Sequence, residues 1–422
     1  MSDLSYIKLG QLARGFRGVS YTPDQLLEHS TESTYTLLRS NNISGGFLNF
    51  TKTQIVPAGV INEEQILKSG DIAVCMSNGS KALVGKSAAY KNVNGRYTVG
   101  AFCSIFRPFD IADSSFLAHI FQSNSFRKHI DLILAGSAIN NLRNRDVEEY
   151  ELVDFAPNER LKLAEVLDTL ETQIRETEAI IAKLQQVKQG LLHDLLTRGV
   201  DENGELRPSY RDAPELYKPS ELGWIPKDWE TCPLAKHINL LSGQHIESNL
   251  CNENAKGVPY FTGPSDFSRE TTYVSKYTEY PQIMCSKGDI LITVKGSGCG
   301  KVAISSTNAC ISRQLMAVQI DQATTHFWFA LFQNYQQNFN QMATGGNIPG
   351  ISRDQILKFV IRIPRSKDEL VLIGSLIEGV GVKLNSEEQV LEKLKLQKSG
   401  LMDDLLTGKK CLTNILNKQP NS

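Results

Sequence analysis

Lys183-Leu-Gln-Gln-Val-Lys188-Gln-Gly190-Leu-Leu-His-Asp194-Leu-Leu-Thr197 reappears 210 residues on as Lys393-Leu-Lys-Leu-Gln-Lys398-Ser-Gly400-Leu-Met-Asp-Asp404-Leu-Leu-Thr407, with nine of fifteen positions identical. Outward from this match, aliphatic residues step by four and three: Leu163, Leu167, Leu170, Ile174, Ile181, Leu184, Leu191 and Leu195. The second copy reads Ile373, Ile377, Val380, Leu384, Leu391, Leu394, Leu401 and Leu405. Steps averaging 3.5 residues keep one seam of a helix turned toward a partner helix. The polar interruptions recur too, Thr177 at Glu387 and Lys188 at Lys398. About forty residues make a rod of roughly 60 Å, and a rod with one narrow apolar seam needs a mate. Its own copy is the simplest mate. An antiparallel pair would carry one globular segment at each end and act as a ruler, whereas two helices docked separately on local cores is the alternative.

The helix starts are legible at Pro157-Asn158 and at Ser366-x-x-Glu369, which has the form of a capping box. Lys188 and Lys398 are expected to snorkel out of the seam. Gly190 and Gly400, costly in a helix, are expected to admit another chain closely or to mark a kink.

The segments before the helices repeat more weakly. Gly70-Asp71-Ile72, Asn78-Gly79-Ser80 and Gly85-Lys86 have counterparts in Gly288-Asp289-Ile290, Gly296-Ser297-Gly298 and Gly300-Lys301. Each set predicts a strand, a glycine-rich polar turn and another strand. Phe121-Gln122 followed by Gly136-Ser-Ala-Ile139-x-x-Leu142 matches Phe332-Gln333 followed by Gly345-Gly-Asn-Ile348-x-x-Ile351. Between the markers the sequences diverge, as expected for two related binding modules with different targets. The fold class expected is α+β: two pseudo-symmetric mixed α/β domains joined by two long antiparallel coiled-coil helices. The boundaries are a first domain at 1–150, a long helix within 151–200, a linker at 201–230, a second domain at 231–365, a second long helix within 366–410 and a tail at 411–422.

A chain of 422 residues with 41% hydrophobic and 22% charged residues suits a globular protein of several structural units. It has no apolar run of bilayer length and no signal-peptide pattern at Met1-Ser-Asp-Leu-Ser5, so a cytoplasmic protein without membrane contact is expected. Net charge is −1, yet residues 1–150 carry 15 basic against 13 acidic side chains, 231–365 carry 12 against 8, and 200–230 carry 4 against 8. Mildly basic modules permit contact with nucleic acid without establishing it. The eight cysteines and seven histidines show no metal-ligand spacing, and reduced structural thiols are expected.

Catalytic patterns are missing. Lys295-Gly-Ser-Gly-Cys-Gly-Lys301 has the wrong glycine spacing for a phosphate-binding loop, and Val302 stands where Ser or Thr would hold magnesium. The chain contains no Glu-x-Lys nuclease element, no Asn-Pro-Pro-aromatic or Asp-Pro-Pro-aromatic methyltransferase tetrapeptide, no Gly-x-Gly-x-x-Gly turn and no Gly-x-Ser-x-Gly elbow. Binding is favoured over catalysis. A single-chain DNA methyltransferase or nuclease with an unrecognised active site, and a purely structural coiled-coil scaffold, are the rival readings.

The two helix endings, Lys188-Gln-Gly-Leu-Leu-His-Asp-Leu-Leu-Thr197-Arg-Gly and Lys398-Ser-Gly-Leu-Met-Asp-Asp-Leu-Leu-Thr-Gly408, resemble those of the specificity subunits of type I restriction-modification systems. So do the linker Tyr217-Lys-Pro-Ser-Glu-Leu-Gly-Trp224-Ile-Pro-Lys-Asp-Trp229 and the stretch Gly257-Val-Pro-Tyr-Phe-Thr-Gly-Pro-Ser-Asp266. The resemblance implies a non-catalytic subunit whose two target-recognition domains each read half of a bipartite, asymmetric site in double-stranded DNA, addressing successive major-groove faces. It implies one copy per complex with two methyltransferase subunits, which two motor/nuclease subunits can join. No cofactor is then expected in this chain: S-adenosylmethionine belongs to the methyltransferase subunits, and ATP with magnesium to the motor subunits. DNA contacts are expected from Asn78, Ser80, Lys81, Lys86, Arg96, Arg143 and Arg145 in the first domain. In the second they are Lys295, Ser297, Lys301, Arg313, Gln314, Asn347 and Arg353, residue types that read base edges or hold phosphates.

Overall fold

The computed structural model describes residues 4–91, 94–136, 140–296, 298–344 and 349–410. It divides into two units, Met1–Glu178 with Gln389–Ser422, and Ala179–Glu388.

The first unit is built on a four-stranded antiparallel sheet in the order Ala13–Arg17, Cys103–Pro108, Ile72–Cys75, Ser87–Ala89. Its strand Ile72-Ala-Val-Cys75 is buried on both faces, because successive side chains point to opposite sides. Ile72 and Val74 join the main core, whereas Ala73 and Cys75 join a cluster with Leu38 and Val99. Those two belong to a three-stranded sheet of Gln54–Pro57, Thr34–Leu38 and Tyr97–Val99, in which the last two run parallel. Three helices follow, α1 (Ser114–Gln122), α2 (Asn124–Ala135) and α3 (Asn144–Glu148), before the long α4 (Pro157–Leu195). α1 is buried or half-buried all round, and its Phe116, Leu117 and Ile120 share a core with Leu163 and Leu167 of α4 and with Met402 and Leu405.

The second unit repeats the plan. Its sheet runs Asn239–Ser242, Leu315–Gln319, Ile290–Thr293, Val302–Ile304, extended by two short strands. Ile290 and Ile292 face the main core while Leu291 faces a cluster with Phe261 and Ile311. The helices α5 (Thr325–Asn334), α6 (Gln336–Met342) and α7 (Arg353–Lys358) precede the long α8 (Lys367–Leu405). α5, like α1, is buried almost all round, and Phe327 and Leu331 share a core with Ile373 and Ile377 of α8.

Within the first unit, Lys398 Nζ meets Glu171 at 2.6 Å and Lys395 Nζ meets Glu178 at 2.7 Å. Rising numbers in α4 therefore face falling numbers in α8. Within the second unit, Leu191 and Leu195 pack in the core with Ile373 and Ile377, and Lys188 Nζ lies 3.7 Å from where a Cβ at Gly381 would stand. The pairing is antiparallel here as well. All positions of the two seams are buried or half-buried.

The structure corrects four local expectations. Lys188 and Lys398 do not snorkel into water: their side chains are 18% and 13% exposed, and each ends on a carboxylate, Glu270 or Glu171, at 2.6 Å. Gly190 and Gly400 mark no break, since both helices run through them. Asn158 does not precede the first long helix but lies inside it, because Pro157 is its first residue, where a missing N–H costs nothing. Glu369 does not complete a capping box with Ser366. Its amide lies 3.4 Å from Ser366 Oγ, but its carboxylate is buried elsewhere, accepting from Val200 N at 3.1 Å, Trp229 Nε1 at 3.1 Å and the Arg207 guanidinium.

That last contact shows what the linker does. Trp229 is fully buried, Arg207 bridges Glu369 and Asp228, and Tyr217–Ser220 pairs with Gly223–Pro226 in a hairpin. Residues 201–230 are thus folded into the second unit. In the first unit the helix C-terminus meets the chain's start, because a Cβ at Gly408 would lie 3.0 Å from Leu4. Gly408 and Gly199, both at positive φ, end the equivalent helices.

Candidate nucleic-acid interface

The two units share a hydrogen-bonded frame far more closely than their sequences suggest. Gly70 and Gly288 take φ of 91° and 92°, and their amides donate to Tyr90 O and Ser305 O at 3.0 and 2.9 Å. The next residue's carboxylate accepts a backbone amide in both, Asp71 from Lys68 at 2.7 Å and Asp289 from Ser286 at 2.8 Å. Gly85 and Gly300 donate to Cys75 O and Thr293 O, each at 2.8 Å. Leu142 N and Ile351 N donate to Met76 O and Val294 O at 2.8 and 3.0 Å.

One element of the frame differs in charge. Arg107 forks onto Asp71 with contacts of 2.8 and 2.7 Å, but the residue in register on the second unit's strand is Gln319. Burial accordingly pushes the Asp289 carboxyl up from its ordinary value, with only the Ser286 amide opposing. A carboxyl raised by folding favours the folded state at low pH, and that contribution is lost as pH rises through the carboxylate range. Asp289→Asn, which keeps an acceptor for Ser286, is expected to raise the melting temperature near pH 7 and leave it unchanged below about pH 4. Equal shifts at both pH values would contradict this account.

A second set of bonds builds a four-residue turn between strands. Gly18 N and Gly243 N donate to Cys103 O at 2.9 Å and Leu315 O at 3.1 Å, and the following amides, of Val19 and Gln244, donate to Val99 O and Ile311 O. Cys103 N closes the turn onto Gly100 O at 2.8 Å, and Leu315 N onto Ser312 O at 2.9 Å. A Cβ at Gly18 or Gly243 would lie 2.2 Å from the carbonyl oxygen of Gly100 or Ser312, so glycine is required at both. The tips of the two turns are Ala101-Phe102 and Arg313-Gln314.

The expected contact residues fall on several loops of this frame. Arg313 and Gln314 are exposed at the turn tip and make no side-chain hydrogen bond or ion pair among the described residues. Asn78 reaches Ser40 Oγ at 3.2 Å, and its Oδ1 accepts from Ser80 N at 3.0 Å, so it shapes its loop. Lys81, Lys295, Lys301 and Arg353 are exposed, while Lys86 is half-buried close enough to favour the Cys75 thiolate. Arg143 clasps Asp146 at 2.7 Å, and Arg145 lies 3.6 Å from Glu149. Arg96 is exposed, with its guanidinium 4.2 Å above the Tyr35 ring and bonded to the Tyr35 hydroxyl at 2.6 Å. Ser297 and Asn347 lie outside the described residues.

One group among the described residues has metal-ligand atoms within 4.8 Å of one another: Glu230, Cys232 and His237. Lys236 Nζ already holds Glu230 at 2.5 Å and Arg365 approaches it at 3.6 Å, while burial raises the Cys232 thiol. These residues fit an ion-paired cluster rather than a cation site. The described cysteines are unpaired, and among the described residues no helix is long and apolar enough to cross a membrane.

A frame present twice, carrying different loop tips and tied to paired long helices, defines a two-module protein. Residues 226–396 match the model of the type I restriction modification DNA specificity domain. The chain is 32% identical over 196 residues to the type I restriction enzyme EcoKI specificity subunit of Escherichia coli (strain K12), covering 46% of this chain and 42% of that protein. It thus aligns with less than half the length of that relative. Over 443 residues it is 22% identical to the type I restriction enzyme MjaVIII specificity subunit of Methanocaldococcus jannaschii, covering 98% of this chain and 94% of the relative. Its fold is similar to the crystal structure of a type I restriction-modification system S subunit from M. genitalium, with a TM-score of 0.63, 16% identity and coverage of 96% and 97%. Residues 226–396 are thus similar to a type I restriction modification DNA specificity domain, and the fold of the whole chain is similar to that of an S subunit.

Proposed function

We propose that this chain is the non-catalytic DNA-recognition subunit of a type I restriction-modification complex, reading a bipartite asymmetric site with one half per unit. The observation that supports this reading best is the duplicated hydrogen-bonded frame with unlike loop tips. Identical frames suit equivalent docking on two segments of duplex, and unlike tips suit two different sequences. The paired α4 and α8 would set the gap between the half-sites and hold two methyltransferase subunits, through which two motor/nuclease subunits join. S-adenosylmethionine would bind to the methyltransferase subunits and ATP with magnesium to the motor subunits. The complex would act in the cytoplasm with a single copy of this chain.

The near-neutral charge fits a subunit that shares phosphate neutralisation with its partners. The test is methylome sequencing of cells expressing this chain with its methyltransferase partner. A two-part, non-palindromic motif that disappears when this chain is deleted is expected. A motif that persists without it refutes the reading.

A further inference from the structure

Behind each turn tip lies a cleft, of about 280 Å³ in the second unit and 530 Å³ in the first. Three wall segments correspond, the stretch just after Gly18 or Gly243, the stretch just after Leu38 or Phe261, and the tip itself, while residues 251–253, Tyr260 and Lys276 line the second cleft alone. The register is fixed by Gly100 N donating to Leu38 O and Ser312 N to Phe261 O, both at 2.9 Å. It is fixed again by Met76 N donating to Phe102 O and Val294 N to Gln314 O, both at 2.8 Å. The backbone of these three segments is therefore one design.

The side chains lining them are not alike. In the second unit the cleft presents Arg313 and Gln314 from the tip, with Thr262 and Lys276 beside them. In the first unit it presents Phe102 from the tip, 69% exposed, with Arg39 and Asn41 beside it. Arg39 Nε is buried without a hydrogen-bond partner among the described residues, in a cleft whose other polar side chains are the hydroxyls of Ser20, Tyr21 and Ser40 and the Asn41 amide.

Building on the DNA-recognition reading above, we propose that these two clefts are the base-reading centres, and that Arg313-Gln314 with Thr262, and Phe102 with Arg39 and Asn41, determine the two half-site sequences. The chemistry assigns a target class to each. Arginine forks onto guanine O6 and N7 and glutamine onto adenine N6 and N7, so the second unit reads adjacent purines. In the first unit Arg39 supplies a guanine contact, and Phe102 an apolar face for a thymine methyl group. Arg96, Arg143 and Arg145, which line neither cleft, are left to phosphate contact.

The test uses the full chain assembled with its methyltransferase partner and a library of duplexes randomised at every position. Arg313→Ala and Arg313→Lys should each lower the preference at one or two positions of a single half-site on the order of 10- to 100-fold, leaving the other half intact. Arg39→Ala and Phe102→Ala should do so in the opposite half, and the transplant Ala101→Arg with Phe102→Gln should create a new preference there. Arg313 and Phe102 are exposed, so folding is not at stake, and a melting curve on each variant checks it. Variants that fold and keep both half-sites unchanged overturn the cleft assignment while DNA reading stands. Uniform weakening on all sequences also overturns it, by making these phosphate contacts. If the unmodified assembly shows no sequence preference, the recognition reading itself fails.

Discussion

Replacing Glu369 with alanine is expected to destabilise the second unit by about 3 kcal/mol, the low end of the cost of breaking a buried ion pair, since Arg207 keeps Asp228. The Glu369 side chain is 8% exposed and the Arg207 side chain 11%. Its removal strands the Trp229 indole N–H and the Val200 amide and leaves the Arg207 guanidinium with the exposed Asp228 as its one remaining carboxylate. For a unit of this size the melting temperature should fall by roughly 10 °C. Trp229→Phe keeps the ring and removes one donor, so about 1 kcal/mol is expected there. Equal losses in the two variants would show that packing of the indole, not the carboxylate hub, holds the linker in place.

The second large effect concerns the helices. Residue pairs 171/398 and 188/381 have the same sum, so removing 172–178 from α4 and 391–397 from α8 together preserves register and seam. Each helix loses about 10.5 Å. If the helices set the gap between half-sites, the preferred spacer shortens by roughly three base pairs, read from the methylation motif. Removing either segment alone puts seven residues out of register and should abolish specific methylation. An unchanged spacer in the double deletion would end the ruler proposal.

The long helices were legible because a 3.5-residue period is local and the copies keep one offset. Gly70 and Gly288, and Gly85 and Gly300, were legible for a related reason, since each pair adopts positive φ at an equivalent turn. What escaped was everything that depends on distant segments meeting. The offset between equivalent positions drifts from 225 at Gly18 and Gly243 to 212 at Cys103 and Leu315 and 210 in the helices, so no fixed-spacing comparison aligns the clefts. Arg39 and Phe102 come together only because Thr34–Leu38 pairs in parallel with Tyr97–Val99. Ser366-x-x-Glu369 misled, because a capping pattern cannot report that Arg207 and Trp229 compete for the same carboxylate. The stacking of Arg96 on Tyr35 was likewise illegible, as nothing in its neighbourhood announces that ring.

The central claim is that one frame, built twice, reads two different sequences. The most direct measurement is the methylation motif of the assembled complex before and after Arg313→Ala. The expected result is a two-part asymmetric motif in which only one part degenerates. A palindromic or undivided motif, or degeneration of both parts together, would contradict it.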